Sequence, residues 1–240
     1  HQLREYRQGD NLRQIDWKAT SRLRKPISRE YQVERDQQLI FLLDCGRRMR
    51  AEDNDINHFD QTLNAMLLLS HAALRQGDAV GFITFGGQQR YFAPQKGHQA
   101  VNKILNKVYD LEATGHTADY AAVARELLIR QRKRSLVVVL TNIRDEDQDE
   151  LSTMLALLRT RHLVLLANLR EEILDRISNK PVQSFQQALR YAATEEYQTH
   201  RKQAHALITR LGALTLDVTA GQLPITLVNR YLDIKRSGML

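Results

Sequence analysis

Four short apolar runs decide what this chain can fold into. Leu39-Ile40-Phe41-Leu42-Leu43, Ala79 to Phe85, Leu136-Val137-Val138-Val139-Leu140 and Leu163 to Ala167 are too brief for helices and carry no polar face. A run of that kind is a strand covered on both sides. Helix-length stretches separate the runs. Phe59, Leu63, Met66, Leu67, Ser70, Ala73 and Leu74 recur at spacings of three and four, and Gly77-Asp78 ends that helix. Gly97 precedes another through Val101, Ile104, Leu105 and Val108. Further helices are expected from Asp119 to about Arg132, with Asp119 as its cap, and from Leu151 to Arg161. Val182 to Leu211 reads as a long helical stretch, Leu214 to Val218 as a last strand and Leu223 to Lys235 as a closing helix. Gly86-Gly87 reads as a tight turn into an edge strand at Arg90-Tyr91-Phe92.

Strands alternating with such helices require right-handed crossovers. The expected fold is therefore α/β, a doubly wound, mostly parallel sheet of Rossmann-like topology. Residues 36–240 make up that domain. Residues 1–35 form a charged amino-terminal arm, where Arg4, Arg7, Arg13, Lys18, Arg22, Arg24, Lys25, Arg29 and Arg35 stand against five acids. A strand is expected there from Ile27 to Glu34. In the arm Gly9-Asp10 reads as a turn, Asp10 and Asp16 as partners for nearby arginines, and Ile15 and Trp17 as apolar anchors against the sheet domain. The alternative is a docking or phosphate-binding surface made by Arg4, Arg7, Arg13, Trp17, Lys18 and Arg22.

Composition narrows the class. The 240 residues contain 35 Lys and Arg against 28 Asp and Glu, for a formal charge of +7. That charge admits a nucleic-acid partner or an anionic membrane surface. The one cysteine, Cys45, cannot close an internal disulfide, and 11 glycines and 4 prolines exclude collagen-like or Pro/Gly-rich chains. No uninterrupted apolar run exceeds five residues, so no transmembrane helix is expected. The opening His1-Gln2-Leu3 has neither methionine nor signal-peptide pattern, which reads as a piece of a longer protein. Motifs for phosphate loops, dinucleotide folds, serine hydrolases and zinc peptidases are missing, and the eight histidines are scattered.

In an open parallel sheet, ligands sit beyond the carboxyl ends of the strands at the point where strand order reverses. Three loops qualify: Asp44 to Met49, Gly115 to Tyr120, and Thr141 to Asp145. Asp44 ends a five-residue apolar run. It reads either as a ligand carboxylate or as an acid bonding the N–H groups of its own turn. Cys45 reads as a small buried apolar residue rather than a nucleophile. Arg130-Gln-Arg132-Lys133-Arg134 reads as a solvated helix end.

Leu-Leu-Asp44-Cys-Gly-Arg-Arg-Met49, Thr117-Ala-Asp119-Tyr and Leu-Thr141-Asn142 together resemble the von Willebrand factor type A fold. More narrowly, Arg4-Glu-Tyr6-Arg-Gln-Gly9-Asp10-Asn-Leu-Arg13-Gln-Ile15-Asp16-Trp17-Lys18-Ala19-Thr20 is very similar to the hallmark of the bacterial family "domain of unknown function 58". Asn229-Arg230-Tyr231-Leu232-Asp-Ile-Lys235 resembles that family's tail. The resemblance implies two membrane helices ahead of this region, a place at the cytoplasmic face of the bacterial inner membrane, and a MoxR-type AAA+ ATPase as partner. The type A fold implies a metal-ion-dependent adhesion site for Mg²⁺. Carried over, Asp44 matches its first aspartate and Thr117 its threonine, with Asp119 nearby. Gly46 and Arg48 stand where two serines belong, and Asn142 stands in place of the last aspartate.

The expectation is a degenerate site that binds Mg²⁺ weakly or not at all, with Arg48 pairing with Asp44. Asp145, Asp147 and Asp149 are expected to serve a helix N-terminus, the alternative being replacement metal ligands. The leading functional expectation is a non-enzymatic interaction module, an adaptor or assembly factor. Its rim would comprise Asp44, Gly46, Arg47, Arg48, Thr117, Asp119, Asn142 and Asp145, with Arg47 and Arg48 recognising acidic or polar side chains. The alternatives are Mg²⁺-dependent ligand binding through Asp44 and Thr117, and nucleic-acid binding by the basic surface.

Overall fold

A computed structural model describes residues 2–6, 15–30, 37–53 and 56–240. The arm contributes strand β1 (Gln2–Glu5), helix α1 (Trp17–Leu23) and strand β2 (Ile27–Glu30), with β1 and β2 antiparallel. Asp16 begins α1 because its carboxylate accepts from the amides of Lys18 and Ala19 at 3.1 and 3.0 Å. Arg24 ends it in the left-handed conformation, φ 51°. Ala19 and Ile27 are the buried apolar residues here, whereas Trp17 is 71% exposed. The expected anchoring role of Trp17 is thus overturned: the first helical turn directs it to solvent, and the small Ala19 faces inward. The expected turn residues Gly9 and Asp10, together with Arg13, lie outside the described residues, as do residues 31–34 of the expected strand. Arg4 belongs to β1 and Tyr6 follows it, its amide bonded to the Pro26 carbonyl at 2.8 Å.

The sheet domain starts with β3 (Gln38–Asp44) and a 3₁₀ turn, Arg47–Arg50. A small hairpin, β4 (Glu52–Asp53) and β5 (Ile56–Asn57), leads into α2 (His58–Arg75). There follow β6 (Ala79–Phe85), β7 (Tyr91–Gln95), α3 (Gln99–Val108), α4 (Tyr120–Arg130) and β8 (Leu136–Thr141). A 3₁₀ turn, Asp145–Asp147, opens α5 (Gln148–Arg159). The chain closes with β9 (Leu163–Arg170), α6 (Glu172–Ser178), α7 (Phe185–Arg210), β10 (Leu214–Thr219) and α8 (Leu223–Ser237).

The six-stranded sheet has the order β10-β9-β8-β3-β6-β7. Every neighbouring pair is parallel except β6 with β7, the expected hairpin edge. Alternation along β3 sends Leu39, Phe41 and Leu43 to a core shared with α2, α3 and α8, and Ile40 and Leu42 to one shared with α4 and α5. Fully burying each such side chain stabilises the fold by about 1.5–3 kcal/mol. From β3 the chain first goes outward to β6, then returns across it to β8. The order therefore reverses between β3 and β8, and a crevice opens at their carboxyl ends. This is a von Willebrand factor type A-like α/β fold. Among the described residues, no helix is long and apolar enough to cross a membrane.

Candidate functional site

Asp44 ends β3 beside that crevice and is 1% exposed. Its Oδ1 accepts from the Gly46 amide at 2.7 Å, and its Oδ2 accepts from Thr141 Oγ1 at 2.7 Å. Tyr120 OH lies 3.0 Å from the same threonine hydroxyl. Because Thr141 gives its single hydrogen to Asp44, Tyr120 donates to Thr141. Burial pushes the Asp44 carboxyl up to about 6 from 3.8, against the two hydrogen bonds. Asp147 adds a smaller upward push, and Arg48 a smaller downward one. Desolvation dominates because the carboxylate has lost its water without gaining a cation in direct contact.

Two glycines let the backbone close on this carboxyl. A Cβ on Gly46 would lie 2.9 Å from the His116 carbonyl and 3.0 Å from Asp44 Oδ1. A Cβ on Gly86, which has φ 73°, would lie 2.9 Å from the same oxygen. The serine that a type A metal site carries at the Gly46 position has no room here. Thr114 Oγ1 lies 2.7 Å from the Gly86 carbonyl and 3.1 Å from that of Cys45, which pins the loop before α4 to the ends of β3 and β6.

Arg48 does not pair with Asp44. Its Nη2 lies 2.7 Å from Asp147 Oδ1 and 2.8 Å from Glu146 Oε1. The long side chain crosses from the turn after β3 to the turn before α5, where two carboxylates offer a better contact than one already bonded twice. Asp147 makes no side-chain capping bond to α5; its second oxygen accepts from the Arg144 amide at 3.1 Å. Asp147 stands at the N-terminus of α5, as expected, and its carboxylate also holds Arg48. Asp149 lies in the first turn of α5, as expected. Asp145 lies in the preceding 3₁₀ turn, and its side chain is outside the description.

The remaining expected residues divide. Thr117 and Arg47 are exposed and line, with Asp44, Arg48, Tyr120 and Asp147, a cavity of about 10 Å³. That is about the room one water needs. Asp119 caps α4 by accepting from the Ala122 amide at 2.8 Å. Asn142 is buried but sends its Nδ2 to Glu171 Oε1 at 3.3 Å, toward the β9–α6 connection. Thr141, one residue earlier, reaches Asp44 instead, because successive strand side chains point to opposite faces.

Mg²⁺ demands an octahedron of oxygens at about 2.1 Å. Both Asp44 oxygens already accept hydrogen bonds, a guanidinium lines the cavity, and Asp147 is held by that guanidinium. This donor set does not fit the ion. Among the described residues, no group of three or more His, Cys, Asp or Glu side chains is placed to hold a metal. Cys45 is fully buried, and desolvation, followed by the neighbouring Asp44 charge, pushes its thiol up to about 12. A thiol so protonated packs as an apolar residue. In the basic cluster, Arg130 pairs with Glu126 at 2.9 Å and stacks over Tyr91 at 4.5 Å, and Arg134 donates to the Met239 carbonyl at 3.1 Å.

Sequence reasoning put Tyr120 and Thr141 in the candidate loops without giving either a role, and it missed Thr114 and Gly86. Only Gly86 carried a local signal, as a turn glycine. A strand-end threonine or a loop threonine looks the same whether or not it meets a carboxylate.

The model of the family described as "Protein of unknown function DUF58" matches residues 2–209. The chain is 24% identical over 103 residues to the uncharacterized protein YeaD of Bacillus subtilis (strain 168), a match that spans 43% of the chain and 24% of YeaD. The chain thus spans about a quarter of that relative's length. Among solved structures, it is similar to the PilB minor pilin from Streptococcus sanguinis, with a TM-score of 0.56 and 9% identity, covering 88% of this chain and 64% of that one. A von Willebrand factor type A protein from Catenulispora acidiphila aligns with a TM-score of 0.49 and 12% identity, over 82% and 42% of the two chains. At 9% identity the likeness to the pilin concerns the fold alone. With its family model running from the arm almost to the end of α7, the chain belongs to the DUF58 family.

Proposed function

We propose that the chain is a non-enzymatic protein-interaction module whose contact face is the rim at the carboxyl ends of β3 and β8. The family and the type A-like fold support an interaction module. The observation that carries the choice of face is the state of its two arginines. Arg48 is fastened to Asp147 and Glu146, while Arg47, next to it on the same turn, is exposed beside Asp44 and Thr117. Recognition of a partner's acidic side chain then falls to Arg47, and Arg48 builds the floor. The earlier expectation gave both residues the same task; only Arg47 keeps it.

In this reading the pocket works without Mg²⁺. The partner is a MoxR-type AAA+ ATPase, and the site of action is the cytoplasmic face of the inner membrane, with anionic lipid near the arm. These finer points rest on the family resemblance. The test is co-purification of the intact protein with that ATPase, comparing wild type with Arg47→Glu. A loss of at least tenfold in recovered ATPase supports the reading; unchanged recovery removes Arg47 from it. Titration calorimetry with Mg²⁺ and Mn²⁺ separates the adhesion-type alternative. Micromolar affinity that disappears in Asp44→Asn would establish a working metal site.

A further inference from the structure

Away from the rim, α6 and α7 form a hairpin that contributes little to the core. Among the described residues α6 buries no side chain, and the first two turns of α7 bury none either. Ile173 is 51% exposed, Val182 48% and Tyr191 37%. Between the two helices and their connection lies a groove of about 820 Å³. Its lining combines these three residues, Ile177 and Pro181 with two amides, Gln183 and Gln187, and the cations Arg176, Lys180 and Arg190. No carboxylate lines it.

The nearby acids are already engaged. Glu172 holds Arg176 at 3.1 Å, Asp175 holds Arg170 at 3.0 Å, and Glu195 accepts from Ser178 at 3.0 Å. Lys180 and Arg190 have no ion-pair partner among the described residues, so the rim of the groove keeps its positive charge. The start of α6 is tied to the sheet domain. The α6 amide of Glu172 donates to Asp53 Oδ1 at 2.9 Å, and the other oxygen of Asp53 meets His58 Nε2 at 2.9 Å.

We propose that this groove binds an amphipathic helix of a partner protein, apolar on the buried side and acidic on its flanks. A concave apolar trough between two helices matches a third helix, whose anchors at i, i+3/i+4 and i+7 would fill it. Lys180 and Arg190 select acidic flanks and reject basic ones. A bilayer offers the same negative charge, but it is flat and leaves the trough unfilled.

The probe is a synthetic 18-residue helix with leucines at those spacings and glutamates on the flanks, labelled for fluorescence anisotropy. A twin carries lysines in place of the glutamates. Vesicles of phosphatidylcholine and phosphatidylglycerol form the third arm. The expected result is saturable binding of the acidic peptide, weakened at least tenfold by Lys180→Glu/Arg190→Glu and by Ile173→Asp, with the basic twin at least tenfold weaker. Thermal melts of the variants control for folding. Arg47→Glu leaves this binding unchanged, so the result is independent of the rim. No binding of the acidic peptide, equal binding of both peptides, or sedimentation with vesicles that the same substitutions abolish would each overturn the proposal.

Discussion

Arg48 Nη2 and Asp147 Oδ1 stand 2.7 Å apart, and both side chains are only about a tenth exposed, at 10 and 11%. Removing one member of such a pair leaves the other charge poorly solvated. Arg48→Met is therefore expected to cost about 3 kcal/mol in urea unfolding. Glu146, whose side chain is 67% exposed, contributes little, and Glu146→Gln is expected to cost less than about 1 kcal/mol. Equal effects of the two substitutions would show that Arg48 is not anchored by Asp147.

Asp44 gives the fold a pH dependence of unusual sign for a carboxylate. Unfolded, it titrates near 3.8; folded, at about 6. Between these values the folded state keeps a proton that the unfolded chain has released, so stability falls as pH rises from about 4 to 6. The loss then persists at neutral pH and amounts to about 3 kcal/mol. Burial lowers the His162 imidazole to about 4, which works in the opposite direction, with stability lost as pH falls from 6.5. The difference between wild type and Asp44→Asn isolates the carboxyl. Unfolding measured from pH 4 to pH 7 is expected to show the variant gaining on wild type as pH rises; parallel curves would refute the raised value.

Restoring a serine at position 46 is expected not to restore a metal site. Its Cβ would meet the His116 carbonyl at 2.9 Å, a backbone atom that cannot rotate away. Gly46→Ser is expected to destabilise by about 1–3 kcal/mol, as overpacking does. Calorimetry with Mg²⁺ is expected to give no added heat over wild type. A stable variant with new Mg²⁺ affinity would mean that the loop carrying His116 yields more easily than its bonds through Thr114 imply.

The layered fold was legible because burial leaves a periodic trace. Leu136 to Thr141 is a strand at the expected bounds, and Asp119 caps α4 as expected. The position of Asp44 at the crevice was legible because an acid after five apolar residues has one place to stand, the edge of the sheet. What its neighbours do was not legible. Arg48 finds Glu146 and Asp147 across 98 and 99 residues of chain, and nothing in the periodicity of either segment records that meeting. The arm illustrates the same limit: Trp17 is the residue composition favours for burial, yet Asp16 starts a helix in a phase that buries Ala19. The hairpin β4–β5 and helix α6 are too short to leave a periodic trace, at two residues per strand and seven in the helix.

The closing helix has its own buried partner. Gly77-Asp78 was expected only to stop α2, but Asp78 Oδ2 accepts from Lys235 Nζ at 2.6 Å and also from Tyr231 OH. The side chains of Asp78 and Lys235 are 1 and 2% exposed. The contact fastens α8 to the start of β6 across 157 residues of chain. Lys235→Met strands a buried carboxylate and is expected to cost about 3–5 kcal/mol. Asp78→Asn combined with Lys235→Met removes both charges and is expected to recover most of that loss, since an uncharged pair needs no counterion. Tyr231→Phe deletes one donor and is expected to cost about 1 kcal/mol. Urea unfolding of wild type, Asp78→Asn, Lys235→Met and the double variant closes the cycle. If the double variant is as unstable as Lys235→Met alone, then the lysine acts by packing its stem against α2 rather than by neutralising Asp78.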